Sequence, residues 1–153
     1  MTVLNELLHN KPLIIAALSW LVAGILKVLV ELRVNRKLTI SRVVGAGGMP
    51  SSHTSTVVSL LVAIGYYQGL TSTEFALATI FAIIVIHDAV GVRLETGKQA
   101  KVLNTMMFES DAFKDLDFEK QLKEYVGHTP SQALAGAIVG IIVSMIMIFV
   151  IYK

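Results

Sequence analysis

Four long apolar stretches constrain this chain more than any other feature it carries. Crossing the hydrocarbon core of a bilayer takes roughly 20 mostly apolar residues as a helix. Pro12 to Val30, PLIIAALSWLVAGILKVLV, supplies one such stretch and is interrupted only by Lys27 near its end. Thr54 to Leu70, Phe75 to Val92 and Pro130 to Tyr152 supply three more. The expected fold is an all-α integral membrane protein, a bundle of about four main transmembrane helices forming a single membrane-embedded domain over 1–153. Composition agrees with this. Only 16% of the residues are charged, where a soluble domain usually carries about 25%. The polar start MTVLNELLHNK and the length of the run behind it read against a cleavable signal peptide. With no cysteine, disulfides, thiolate nucleophiles and zinc–thiolate sites are excluded.

One long polar stretch, Glu95 to Gly127, lies between the third and fourth segments. Phe113, Leu116, Phe118, Leu122 and Tyr125 recur there at a spacing that suits a short amphipathic surface helix. Basic residues give the orientation. Arg33, Arg36, Lys37 and Arg42 fill the loop after the first segment, and Arg93, Lys98, Lys101, Lys114, Lys120 and Lys123 the long one. Lys11 and Lys153 alone stand opposite. With four crossings both basic loops face the cytoplasm, as for a multi-pass protein of a bacterial plasma membrane. The net charge of +2 gives no argument for nucleic acid as a partner.

The rare ionisable residues collect on that same side. His53 opens the second segment; His87, Asp88 and Arg93 close the third; His128 precedes the fourth; Lys27 ends the first. Charges at membrane depth are costly, and a functional site is their default explanation. Both His53 and His128 stand at helix starts beside hydroxyl residues, and helix N-termini suit phosphate. Gly47 and Gly48 permit a tight turn ahead of His53, and Ser51 and Ser52 add donors. Thr129-Pro130-Ser131-Gln132 reads as an N-cap, a Pro at the first helical position and the Gln of a capping box. The chemistry this supports is phosphoryl transfer. One histidine attacks phosphorus, the other protonates the leaving oxygen, an Asp orients the attacking ring, and Arg93 with a lysine neutralises the phosphoryl oxygens.

Three blocks in this order, GGMPSSHT, HDAVGVRLETGKQAKVLN and GHTPSQALAGAIVG, resemble the divergent branch of the type 2 phosphatidic acid phosphatase superfamily, which is related to acid phosphatases and vanadium-dependent haloperoxidases. The resemblance implies a metal-independent membrane phosphatase acting on lipid phosphates, without a cofactor. It implies His128 as nucleophile, His53 as general acid, Ser51 and Ser52 as phosphate ligands, and Asp88 and Arg93 as the Asp and first Arg of the middle block. Three positions depart from the main superfamily. Leu122 stands where an Arg precedes the nucleophile, Gln132 stands where an Asp follows it, and Val34 follows Lys27 at the first motif's spacing. The clamp is then to be rebuilt from Arg93, Lys27, Arg42 or Lys98, with Gly48 at the turn, and Asp88 or Glu124 replaces the missing carboxylate.

A structural reading stands beside each functional one. Lys27 can snorkel to the interface, Gln132 can serve as a cap, Asp88 and Arg93 can pair across one helix end, and His87 can be a bystander. Three histidines with Asp88 lack compact ligand spacing, so no metal is expected. The expected function is hydrolysis of a lipid phosphate monoester or diphosphate. The alternative is binding or transport of a phospholipid or isoprenoid phosphate without catalysis. Ala135, Gly136, Ala137 and Gly140 allow close helix packing, which would also permit a homodimer.

Overall fold

The computed structural model describes residues 3–36, 47–109, 120–124 and 126–153. The regular elements among the described residues are all helices, with no strand. In hydrocarbon the backbone has no water to bond, so each crossing segment must satisfy its own N–H and C=O groups. A short helix, α1 (Val3–His9), leads into α2 (Lys11–Asn35), which starts where Asn10 accepts a hydrogen bond from the Leu13 N–H, 3.2 Å away. It ends at Arg36, in the left-handed conformation. Then come α3 (Ser52–Gln68), α4 (Thr73–Val90), α5 (Val92–Glu109) and α6 (Pro130–Ile146), which runs on into a π-helical turn, Met147–Ile151.

Among the described residues, three helical stretches are long and apolar enough to cross a membrane: Lys11–Val34, Thr73–Phe108 and Pro130–Ile151. The middle one, 36 residues, would extend about 54 Å if unbroken, well beyond a hydrocarbon core of about 30 Å. It is interrupted at Gly91, whose ψ of −91° leaves helical values. This separates the apolar α4 from the charged α5. The expected second segment is also a helix. At 17 residues α3 is about 26 Å long, and it packs against α2, α4 and α6. The expectation of four spanning helices thus resolves into three that meet the requirement and a shorter, hydroxyl-rich helix packed among them.

The helices are assembled with their small and polar faces inward. Ser19, Ser55, Ser59 and Ser144 are fully buried, while Leu77, Ile80, Ile84 and Ile142 are exposed. A soluble protein would reverse this; here hydrocarbon is the solvent for the large side chains. Each of these four serine hydroxyls finds a partner. Ser19 and Ser55 share a 2.7 Å hydrogen bond, Ser59 donates to the Thr56 carbonyl, and Ser144 donates to the carbonyls of Ser59 and Gly140. Such interhelical bonds contribute about 0.6–2 kcal/mol each.

Two glycines set how closely α6 approaches α3. A Cβ at Gly136 would run into the Ser51 carbonyl oxygen, and one at Gly140 into that of Ser55. The small face expected to permit a homodimer is used at these two positions within the chain. Gly136→Val should therefore cost about 1–3 kcal/mol or more by overpacking against backbone. Thermal unfolding in detergent checks this, with Ile138→Val, on the exposed face, expected to change little.

The surface helix expected around residues 113–125 falls largely outside the described residues. Residues 110–119 and 125 lie outside the described residues, but 120–124 are not helical. Asn104 of α5 explains the local conformation. Its amide accepts from the Leu122 N–H (2.8 Å) and donates to the Leu122 carbonyl (2.9 Å), groups that a helix would pair internally. Among the described residues, the helix in the long polar stretch is α5, Val92–Glu109.

Candidate functional site

The candidate site lies where α3 and α6 begin and α4 ends. Gly47 and Gly48 turn the chain into α3 with φ of 81° and 83°, values that side chains other than glycine rarely adopt. Ser51 caps α3, its hydroxyl accepting from the N–H and the hydroxyl of Thr54. The Ser51 N–H in turn donates to the Gln132 carbonyl in the first turn of α6. That bond fastens the two helix starts side by side, so two positive dipole ends share one layer. Thr129 and Gln132 form the expected capping box on α6.

His128 is positioned by backbone from three directions. Its N–H donates to the Ala89 carbonyl in the last turn of α4, at 3.0 Å. Just before it, Gly127 lies so near the backbone of Arg93 and Leu94 that a Cβ would overlap them. Its ring Nδ1 lies 3.2 Å from the Gly48 carbonyl. A carbonyl only accepts, so Nδ1 carries the proton and Nε2 of the neutral ring keeps its lone pair. That Nε2 is buried and meets no hydrogen-bond partner of ordinary geometry among the described residues, and the same holds for Nδ1 of His53. The two rings meet edge to face, 5.8 Å between centroids.

Cationic groups surround the pair. Lys27 is only 2% exposed, and its stem packs against Gly48, where a Cβ would come within 3.2 Å of Cγ. Its ammonium reaches toward the Ser52 hydroxyl, 3.4 Å away. Lys27 therefore turns into the bundle and does not snorkel. Arg93 and Asp88 are ion-paired and half exposed, and both act electrostatically on His53. His128 stands outside the spanning helices. Burial, and then the positive charges of Lys27 and His53, hold its pKa below the ordinary 6.5; Gln132 and the Gly48 carbonyl pull weakly the other way. Its neutral, nucleophilic form is thereby favoured.

Of the residues singled out in the sequence, the structure brings His53, His128, Lys27, Ser52 and Gly48 together, with Arg93 and Asp88 at the edge. Asp88 holds Arg93, whereas the attacking ring expected to be oriented by Asp88 is held by the Gly48 carbonyl. Ser51 is fully enclosed and engaged in capping. Lys98 is exposed and paired with Glu95, apart from this cluster. Glu124 accepts from the Asn104 amide. His87 is exposed, and Arg42 lies outside the described residues. No group of three or more metal-ligating side chains forms among the described residues.

Sequence reasoning missed Asn104, Gly97 and the Ala89 carbonyl. A Cβ at Gly97 would overlap the Glu124 carbonyl, so Gly97, Asn104 and Gly127 together hold residues 120–124 and 126–128 against α5. A signal existed: Gly97, Ala100 and Asn104 follow helical spacing on one buried face of an otherwise polar helix.

The model of the Divergent PAP2 family matches residues 8–143, nearly the whole chain. The chain belongs to the Divergent PAP2 family. Within it, the chain is 36% identical over 154 residues to YuiD, named as an uncharacterized membrane protein, from Bacillus subtilis (strain 168). The likeness covers 94% of this chain and 98% of the relative. No solved structure matches. All three site segments fall inside the family match: the glycine turn with His53, the Asp88–Arg93 pair, and His128 with its cap.

Proposed function

We propose that this family member hydrolyses a lipid phosphate through a phosphohistidine, with His128 as nucleophile and His53 as proton donor. The observation that carries this reading is the buried Nε2 of His128, which meets no hydrogen-bond partner of ordinary geometry among the described residues, beside the ring of His53. A buried polar atom with no partner is rare and calls for an explanation. In the first step Nε2 forms a bond to phosphorus, the ester P–O bond breaks, and protonated His53 gives its proton to the leaving oxygen. Water then attacks phosphorus, His53 takes back a proton, and the N–P bond breaks to release inorganic phosphate. Lys27, Ser52, Arg93 and the N-termini of α3 and α6 are suited to hold the phosphoryl oxygens. Asp88 assists by steering Arg93.

The charge bias of the loops supports a topology in which α3 also crosses, and the site opens to the cytoplasm. That side favours a phosphate monoester of biosynthesis, such as phosphatidic acid or phosphatidylglycerol phosphate, over undecaprenyl diphosphate recycled on the outer face. A non-catalytic reading, binding or transport of a phospholipid or isoprenoid phosphate, is favoured by one observation: Arg93 is already paired with Asp88.

Phosphate release by the purified protein in lipid micelles with EDTA, offered a panel of lipid phosphates, tests the choice. Release is expected to survive EDTA and to fall by about 10²–10⁴-fold in His53→Ala, the usual cost of losing a general acid. Lipid-dependent thermal stabilisation without release from any lipid would replace the phosphatase reading with the binding one.

A further inference from the structure

An apolar groove lies between α2 and α6 on the outside of the bundle. Leu18, Val22 and Leu26 line one wall; Val139, Val143 and Met147 are on the other. No polar residue lines it, and its volume is about 380 Å³. On each helix these residues recur at spacings of four, so the groove runs along the bundle axis for about 12 Å.

Its position relative to the site gives it meaning. Lys27 reaches Ser52, and the Ser51 carbonyl abuts Gly136, so Lys27, Ser52 and Gly136 belong to one layer. The groove begins directly beneath. Leu26 is the residue before Lys27, and Val139 lies three residues, a rise of about 4.5 Å, beyond Gly136. A cationic, donor-rich cluster thus sits at the end of an apolar trough. That is the complement of an amphiphile with an anionic head and a straight tail.

We propose that the α2–α6 groove holds one hydrocarbon chain of the lipid phosphate whose head occupies the His53–His128 site. The assignment rests on the lipid-phosphate reading of that site. The groove makes substrate selection depend on chain length, through Leu18, Val22, Val143 and Met147. The chain enters from the bilayer without leaving hydrocarbon, so only the head is desolvated on binding.

The test uses the full-length protein in nanodiscs and a diacylglycerol phosphate carrying a photoreactive diazirine midway along one chain. Peptide mass spectrometry reads where the label lands. Labelling is expected on α2 between Leu18 and Leu26 and on α6 between Val139 and Met147, suppressed by unlabelled diacylglycerol phosphate. The same diazirine lipid without its phosphate should label these positions far less. Equal labelling by the two lipids would identify ordinary boundary lipid and overturn the proposal, as would labelling confined to other helices or absent altogether. Val143→Phe, which fills the trough, should weaken labelling and raise KM for long-chain substrate about tenfold, the loss of roughly two buried methylenes. Hydrolysis of a short-chain phosphate should be nearly unchanged. Phosphate release measured alongside separates the two readings. Phosphate-dependent labelling without release supports the groove while removing the phosphatase function. Release with phosphate-independent labelling removes the groove alone.

Discussion

His128→Ala is expected to lower phosphate release at least about a thousandfold, more than any other single substitution in the site. Most of the neighbouring groups act on charge or position and can be partly replaced by water or by one another. A nucleophile that forms the covalent intermediate cannot. The test is a single-turnover assay beside acid-labile phosphoprotein detection. Wild type should carry phosphate on histidine, and His128→Ala should carry none. His128→Gln is the companion, because its side-chain amide can still donate to the Gly48 carbonyl and keep the turn in place. A folded Gln variant retaining substantial release would remove His128 from the nucleophile role.

The same residue sets an acid limit. In the folded protein His128 holds a pKa below 6.5, chiefly because of burial and secondly because of Lys27 and His53. The neutral ring therefore persists below pH 6.5, and the acid limb due to the nucleophile should fall below that value. Lys27→Met removes one positive neighbour, so the limb should move up in pH even as overall activity drops. Stability carries the corresponding sign. The folded state binds fewer protons at His128 than the unfolded chain does. Its contribution is thus complete above pH 6.5 and declines as the pH falls below it. A limb that stays in place in Lys27→Met would mean that the two groups do not sense each other.

Much of this arrangement was legible because it is local. Apolar length identifies α2, α4 and α6. Thr129, Pro130 and Gln132 announce the start of α6 by chemistry that acts within four residues. The paired glycines before His53 do need positive φ, as their type implies. Alternation of segments alone brings Lys27, His53 and His128 to one side. What was hidden depends on contacts between distant backbones. Nothing near Asn104 in the sequence says that it will bond Leu122. Nothing near His128 names the Ala89 carbonyl as its anchor. The direction of Lys27 was equally hidden: its segment is apolar on every face, so helical periodicity cannot say which face turns inward. Ser51 illustrates a different ambiguity. A hydroxyl at a helix start can bind phosphate or cap the helix, and burial between α3 and α6 engages it in the cap.

Gly127→Ala should lower phosphate release about a hundredfold, although the residue has no side chain to contribute. The Cβ would fall on the backbone of Arg93 and Leu94, where no flexible side chain can move aside. Either residues 126–128 withdraw from α5 or the start of α5 shifts. In both cases the bond from the His128 N–H to Ala89 lengthens, and Nε2 moves relative to His53. A displacement of about 1 Å at a reacting group costs on the order of a hundredfold in rate, and overpacking costs about 1–3 kcal/mol in stability. Gly69→Ala separates misplacement from general weakening. Gly69 sits at the opposite end of α3 with φ 90° and ψ 154° and no atom near its missing Cβ. Its alanine variant is strained by about 1–3 kcal/mol but leaves the site alone. Thermal midpoints should fall in both variants, whereas kcat should collapse only in Gly127→Ala. Equal losses of kcat at matched stability would show that the fit of Gly127 against Arg93 and Leu94 does not position the nucleophile.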